Sequence, residues 1–74
     1  MTNYQQGIWH MKRALDLYET ERIWTEYIHR LLLNNETLWA GHYRNYERST
    51  ARQAEYHNRK SQEYFYGAKN DGLQ

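Results

Sequence analysis

The sequence predicts an all-α fold, an antiparallel two-helix hairpin assembling as a dimeric helical bundle. Three observations carry this. The chain of 74 residues holds no Pro, and most of its residues are helix formers such as Leu, Glu, Arg, Gln and Ala. One strong turn signal, Asn34-Asn35-Glu36, divides it into two halves of similar length. The apolar positions of both halves recur at helical spacing and come into register when the chain is folded at residues 34–35.

The elements follow in order. Asn3 with Gln6 resembles a capping box with Asn in place of Ser or Thr, so the first helix is expected over 3–33. Asn34 and Asn35 tolerate the left-handed conformation that ends a helix, and Asn35 is placed to cap the next one, giving a turn over 34–36. The second helix is expected over 36–66, with Gly67 ending it and residues 67–74 forming a flexible tail. Residues 1–66 thus make one domain. Gly7 and Gly41 lie inside the expected helices, and Gly41 leaves a rival boundary open, with the turn spanning 34 to 41.

Helical phase assigns the faces. The second helix presents Trp39, Tyr43, Tyr46, Thr50, Ala54, His57, Ser61 and Tyr64 at spacings close to a coiled-coil seam. The first helix answers with Leu17, Trp24, Ile28 and Leu31. Folding at the turn sets Leu31 against Trp39, Ile28 and Tyr27 against Tyr43, Trp24 against Tyr46, and Leu17 against Ala54. One stripe is left over. Tyr4, Ile8, Met11, Leu15 and Tyr18 lie within about 80° of one another and well away from the seam. Such a face calls for a second copy or another protein, unless the helix bends or breaks near Glu19-Thr20-Glu21.

Composition sets further bounds. Leu, Ile and Phe supply 11 residues and Val none, while three Trp and eight Tyr carry the remaining apolar mass. The interior is therefore expected to be thin, with rings that reach the surface. The absence of Cys excludes disulfides, thiolate zinc sites and a Cys nucleophile. The sequence contains no apolar run of membrane-spanning length, and Met1-Thr2-Asn3-Tyr4 lacks a signal-peptide layout, so a cytoplasmic protein without membrane contact is expected. Small helical chains of this kind are common among phage and mobile-element genes, an association by size alone.

Several constellations bear on function. Arg44, Arg48 and Arg52 stand four residues apart, with Arg59 on the same side and Tyr56 beside them. Basic residues interleaved with aromatics suit a nucleic-acid backbone or an acidic partner. The field is diluted, because residues 37–69 hold six basic and three acidic side chains, with Glu55 amid the Arg face, against four and five over residues 1–36. Glu26 and His29 form a single Glu-x-x-His pair with His42 close by hairpin arithmetic, but His29 phases away from the seam, and no metal or other cofactor is expected. Ser49 and Ser61 lack a positioned His–Asp pair, no phosphate-binding loop occurs, and two helices enclose no sizeable pocket for a small-molecule substrate. A non-enzymatic binding module is expected, acting as an inhibitor or adaptor. Its contacts would be Ile8, Trp9, Met11, Leu15 and Tyr18. Nucleic-acid binding through Arg44, Arg48, Arg52, Tyr56 and Arg59 is the alternative.

Overall fold

The computed structural model describes residues 1–72, with side chains through residue 70. Two helices make up the fold: α1 (Asn3–Leu33) and α2 (Thr37–Gly72). They run antiparallel along most of their length in a rod of 59 × 16 × 13 Å.

The start of α1 lies one residue earlier than the Asn3/Gln6 pattern suggests. Thr2 is the N-cap. Its hydroxyl accepts from the Gln5 N–H at 3.1 Å, and the Gln5 side-chain oxygen accepts from the Thr2 N–H at 3.0 Å, closing a capping box. The helix continues unbroken through Glu19-Thr20-Glu21. It does so although the Thr20 hydroxyl donates back to the Asp16 carbonyl at 3.0 Å, a bond that competes with the helix ladder.

The turn sits where the paired asparagines place it. Asn35 takes a φ of 60°, the left-handed region that Asn tolerates better than most residues. The Glu36 N–H returns to the Leu31 carbonyl at 2.9 Å and the Asn35 N–H to the Leu32 carbonyl at 3.1 Å, which is the Schellman pattern of bonds. Asn35 therefore ends α1 and does not cap α2. The first backbone bond of α2 runs from the Ala40 N–H to the Glu36 carbonyl, so the helix begins at Thr37 and passes through Gly41 without interruption.

Gly67 does not end α2. No described glycine has a positive φ, so the left-handed cap expected there is not adopted. The helix continues to Gly72, and the expected tail over 67–74 is helical through residue 72, with residues 73–74 outside the described part. Gly67 instead lies close to α1, where a Cβ would come 3.1 Å from the Asn3 amide.

One series of buried and half-buried positions on each helix follows alternating spacings of three and four. On α1 they run through Gly7, His10, Ala14, Leu17, Glu21, Trp24, Ile28 and Leu31; on α2, through Ala40, Tyr43, Glu47, Thr50, Ala54, His57, Ser61 and Tyr64. This is the seam of an antiparallel two-stranded coiled coil. Small residues let the helices approach closely. Among the described residues Ala40 and Ala54 are fully buried, and no large side chain is.

The seam corrects the expected one at its turn end by one position. Ala40, not Trp39, packs with Ile28, Leu31 and Tyr43, while Trp39 is 59% exposed. A methyl fits between helices held together by a tight turn, where an indole would force them apart. Tyr46 also moves outward, and Glu47 takes the half-buried position. From Thr50 onward the expected α2 stripe coincides with the seam.

Candidate functional site

The lateral stripe of α1 remains open. Tyr4, Met11, Leu15 and Tyr18 are exposed, with Leu15 at 60%, and Ile8 is half-buried. The reason is the continuation of the seam through Gly7, His10 and Ala14, which occupies the side of α1 that faces α2 and leaves this stripe on its flank. Only Tyr4 finds a ring on the other helix, 5.9 Å from Phe65. That ring lies over Gly7, where a Cβ would come within 2.7 Å of it.

Trp9 does not belong to this stripe. At 100° per residue it lies about 100° round the helix from Ile8 and opposite Tyr18. Its ring stands edge-on to His57 at 5.5 Å and to His10 at 4.8 Å. Trp9 therefore has an intramolecular partner, contrary to its sequence-based grouping with Met11 and Leu15.

The histidines beside it form a polar layer of the seam. His10 Nδ1 and His57 Nδ1 are 2.7 Å apart, and the ring centroids 5.0 Å apart. The two nitrogens thus lie near the line joining the rings, the arrangement of a single N–H···N bond in which one ring donates and the other accepts. Tyr64 stacks on His10 at 5.4 Å, and Tyr56 stands edge-on to both imidazoles. Burial lowers the pKa of His57 from its ordinary value, and the nearby His10 and Arg13 push it the same way. Because both nitrogens point at each other, this pair makes a hydrogen bond and not a chelate.

A second ring cluster lies toward the turn. Trp24 stacks on Tyr43 at 5.4 Å and on Tyr46 at 5.6 Å, while Tyr27 meets Tyr43 edge-on. His42 stands edge-on to Tyr43 and Tyr46. A shallow groove is lined by Thr20, Ile23, Trp24, Tyr27 and Tyr43. Sequence reasoning placed most of these rings in the interior and missed Ile23 and the outward-facing edge of Tyr27. The missing signal is the one-residue offset of the seam, which turns Trp39 and Tyr46 outward.

The arginine face is divided. Arg44 and Arg48 border an open groove with Thr25, His29, Leu32 and Glu47, and the Thr25 hydroxyl donates to the Glu47 carboxylate there. Arg52 and Arg59 are exposed on α2. Tyr56 is engaged elsewhere, against His10 and His57 and beneath the Lys60 ammonium at 5.9 Å. Lys60 itself bonds Glu63 at 3.2 Å, which raises its pKa. Glu26 sits 3.7 Å from Arg22. Among the described residues no group of three or more His, Asp or Glu side chains is placed to hold a metal ion.

No described helix is long and apolar enough to cross a membrane. Comparison with protein-family models, curated proteins and solved structures finds no match for this chain.

Proposed function

We propose that this chain is a non-enzymatic binding module, an inhibitor or adaptor, that acts by docking the flank of α1 onto a protein chain, a second copy of itself or a different protein. The observation that carries this reading is the stripe of exposed Tyr4, Met11, Leu15 and Tyr18 with half-buried Ile8 among them, about 21 Å long and free of charged side chains. Contiguous exposed apolar surface of this kind marks interaction sites in small proteins. Burying Leu15 alone would contribute about 1.5–3 kcal/mol. The surface ion pairs are worth at most about 1 kcal/mol each.

The test compares two variants for capture of partners from the source cell. Leu15→Asp should abolish capture while circular dichroism remains helical. Arg48→Glu combined with Arg52→Glu should leave capture intact, and capture should persist as salt rises. The reverse pattern, with the arginine variant inactive and binding lost between about 50 and 200 mM salt, would replace this reading with a nucleic-acid or acidic partner on Arg44, Arg48, Arg52 and Arg59.

A further inference from the structure

Building on the binding role of the stripe, we infer that its occupant is a second copy of this chain, joined about a two-fold axis that passes close to Met11. Two features of the molecule point to this.

The first is the chemistry of the stripe read in both directions. Met11 stands at its centre. Seven residues away on either side are Tyr4 and Tyr18. Between them lie Ile8 and Leu15, three residues before Met11 and four after it. An interface between identical subunits across a two-fold axis must be self-complementary, because each residue's counterpart sits on the same surface of the other copy. Two α1 helices laid antiparallel across this face bring Tyr4 opposite Tyr18 of the second copy. Ile8 comes to within one residue of the second copy's Leu15, and Met11 meets itself. Tyrosines then close both ends of an aliphatic centre. The unbranched Met side chain, which adapts its shape, occupies the point where the symmetry demands that a residue pack against itself. The stripe stops at the next position of the series, where Arg22 is exposed. Lys12, one residue from the axis, meets its own counterpart only at the rim, where water and salt screen like charges.

The second feature is area. The chain exposes 5974 Å². A compact chain of 9.2 kDa exposes about 4,900 Å². The two-helix rod therefore carries a surplus of about 1,000 Å², against the roughly 800 Å² that each partner buries in a stable interface of standard size. That surplus follows from the shape of the rod and includes polar as well as apolar surface, and a second copy laid along the stripe would cover area on this scale.

The experiment is analytical ultracentrifugation of the full chain and its variants at micromolar concentration, with circular dichroism on the same samples. The wild type should sediment at twice the 9.2 kDa chain mass. Met11→Glu, which sets two carboxylates against each other at the axis, should sediment as a monomer of unchanged helicity. A second measurement does not depend on that variant folding. The chain has no Cys. Met11→Cys should therefore cross-link to its own copy under mild oxidation within minutes, while Trp9→Cys, facing away from the stripe, should not. A wild type that is monomeric, a Met11→Glu variant that stays dimeric, or a Trp9→Cys chain that cross-links as fast as Met11→Cys would overturn the inference. A monomer whose capture of another protein still depends on Leu15 would overturn the self-partner alone. A monomer whose capture is indifferent to Leu15 would remove the stripe reading as well.

Discussion

At the scale of single residues, two kinds of position are decided by what their side chains meet. His57 is one. Burial, helped by His10 and Arg13, holds its pKa below the ordinary 6.5, so the folded chain favours the neutral ring. The unfolded chain takes up its proton first as pH falls, so stability is fully present above about 6.5 and is lost as pH drops below it toward the folded value. A second proton on the pair would also set two donors against each other across 2.7 Å. Thermal melts should therefore show a lower midpoint at pH 5 than at pH 7.5, and His57→Asn should flatten that difference. Gly7 and Gly41 are the other kind, and they should respond in opposite directions to the same change. A methyl at Gly41 meets nothing within 4 Å, so Gly41→Ala should stabilise by about 1 kcal/mol through helix propensity. At Gly7 the methyl runs into the Phe65 ring, so overpacking of about 1–3 kcal/mol is set against the same propensity gain, and Gly7→Ala should destabilise by up to about 2 kcal/mol. Urea denaturation of the two variants separates these outcomes.

At the scale of elements, the turn and the packing next to it set how the helices meet. The Schellman bonds require a left-handed residue, and Asn35 supplies it. Asn35→Gly should leave stability within a few tenths of a kcal/mol of the wild type or raise it, whereas Asn35→Val should cost about 1–2 kcal/mol or more for the strained backbone. Immediately inside the turn, Leu31 packs with Ile28 and Ala40. Leu31→Ala should cost about 2–5 kcal/mol, since the residual cavity lies between two helices with few other large buried side chains. Chemical denaturation monitored by helical circular dichroism measures both. A Leu31→Ala chain as stable as the wild type would show that the seam near the turn contributes little to holding the hairpin together.

At the scale of the whole molecule, the hairpin has one thin interior and much open surface. Its helices bury mainly small side chains against each other, so apolar contact outside the single chain bears on its stability. If the α1 flank is covered by a second copy, dissociation and unfolding are linked, and the melting temperature should rise with protein concentration. The wild type should show this dependence over a hundredfold dilution series, and Met11→Glu should not. A midpoint independent of concentration in both would mean that the hairpin is stable without a partner on that face.

The sequence by itself determined the parts that depend on neighbouring residues. Helix-forming composition without Pro made both elements helical, and Asn34-Asn35 located the reversal because few residues other than Gly and Asn accept the left-handed backbone it needs. The open stripe on α1 was also legible, since the spacing of Tyr4, Ile8, Met11, Leu15 and Tyr18 fixes a common face whatever lies opposite. What only the tertiary structure decided is which side chains fit between the helices. Apolar periodicity favoured Trp39 for the seam and gave no weight to Gly7, His10 and Ala14. Packing instead selected Ala40 and extended the seam down α1 through those same residues, because closely spaced helices admit small side chains and a hydrogen-bonded ring pair more readily than an indole. The contacts of Trp9 and Tyr56 with the histidine pair, and the close approach of Gly67 to Asn3, belong to that register. Register depends on contacts between residues tens of positions apart, and local propensity does not encode it.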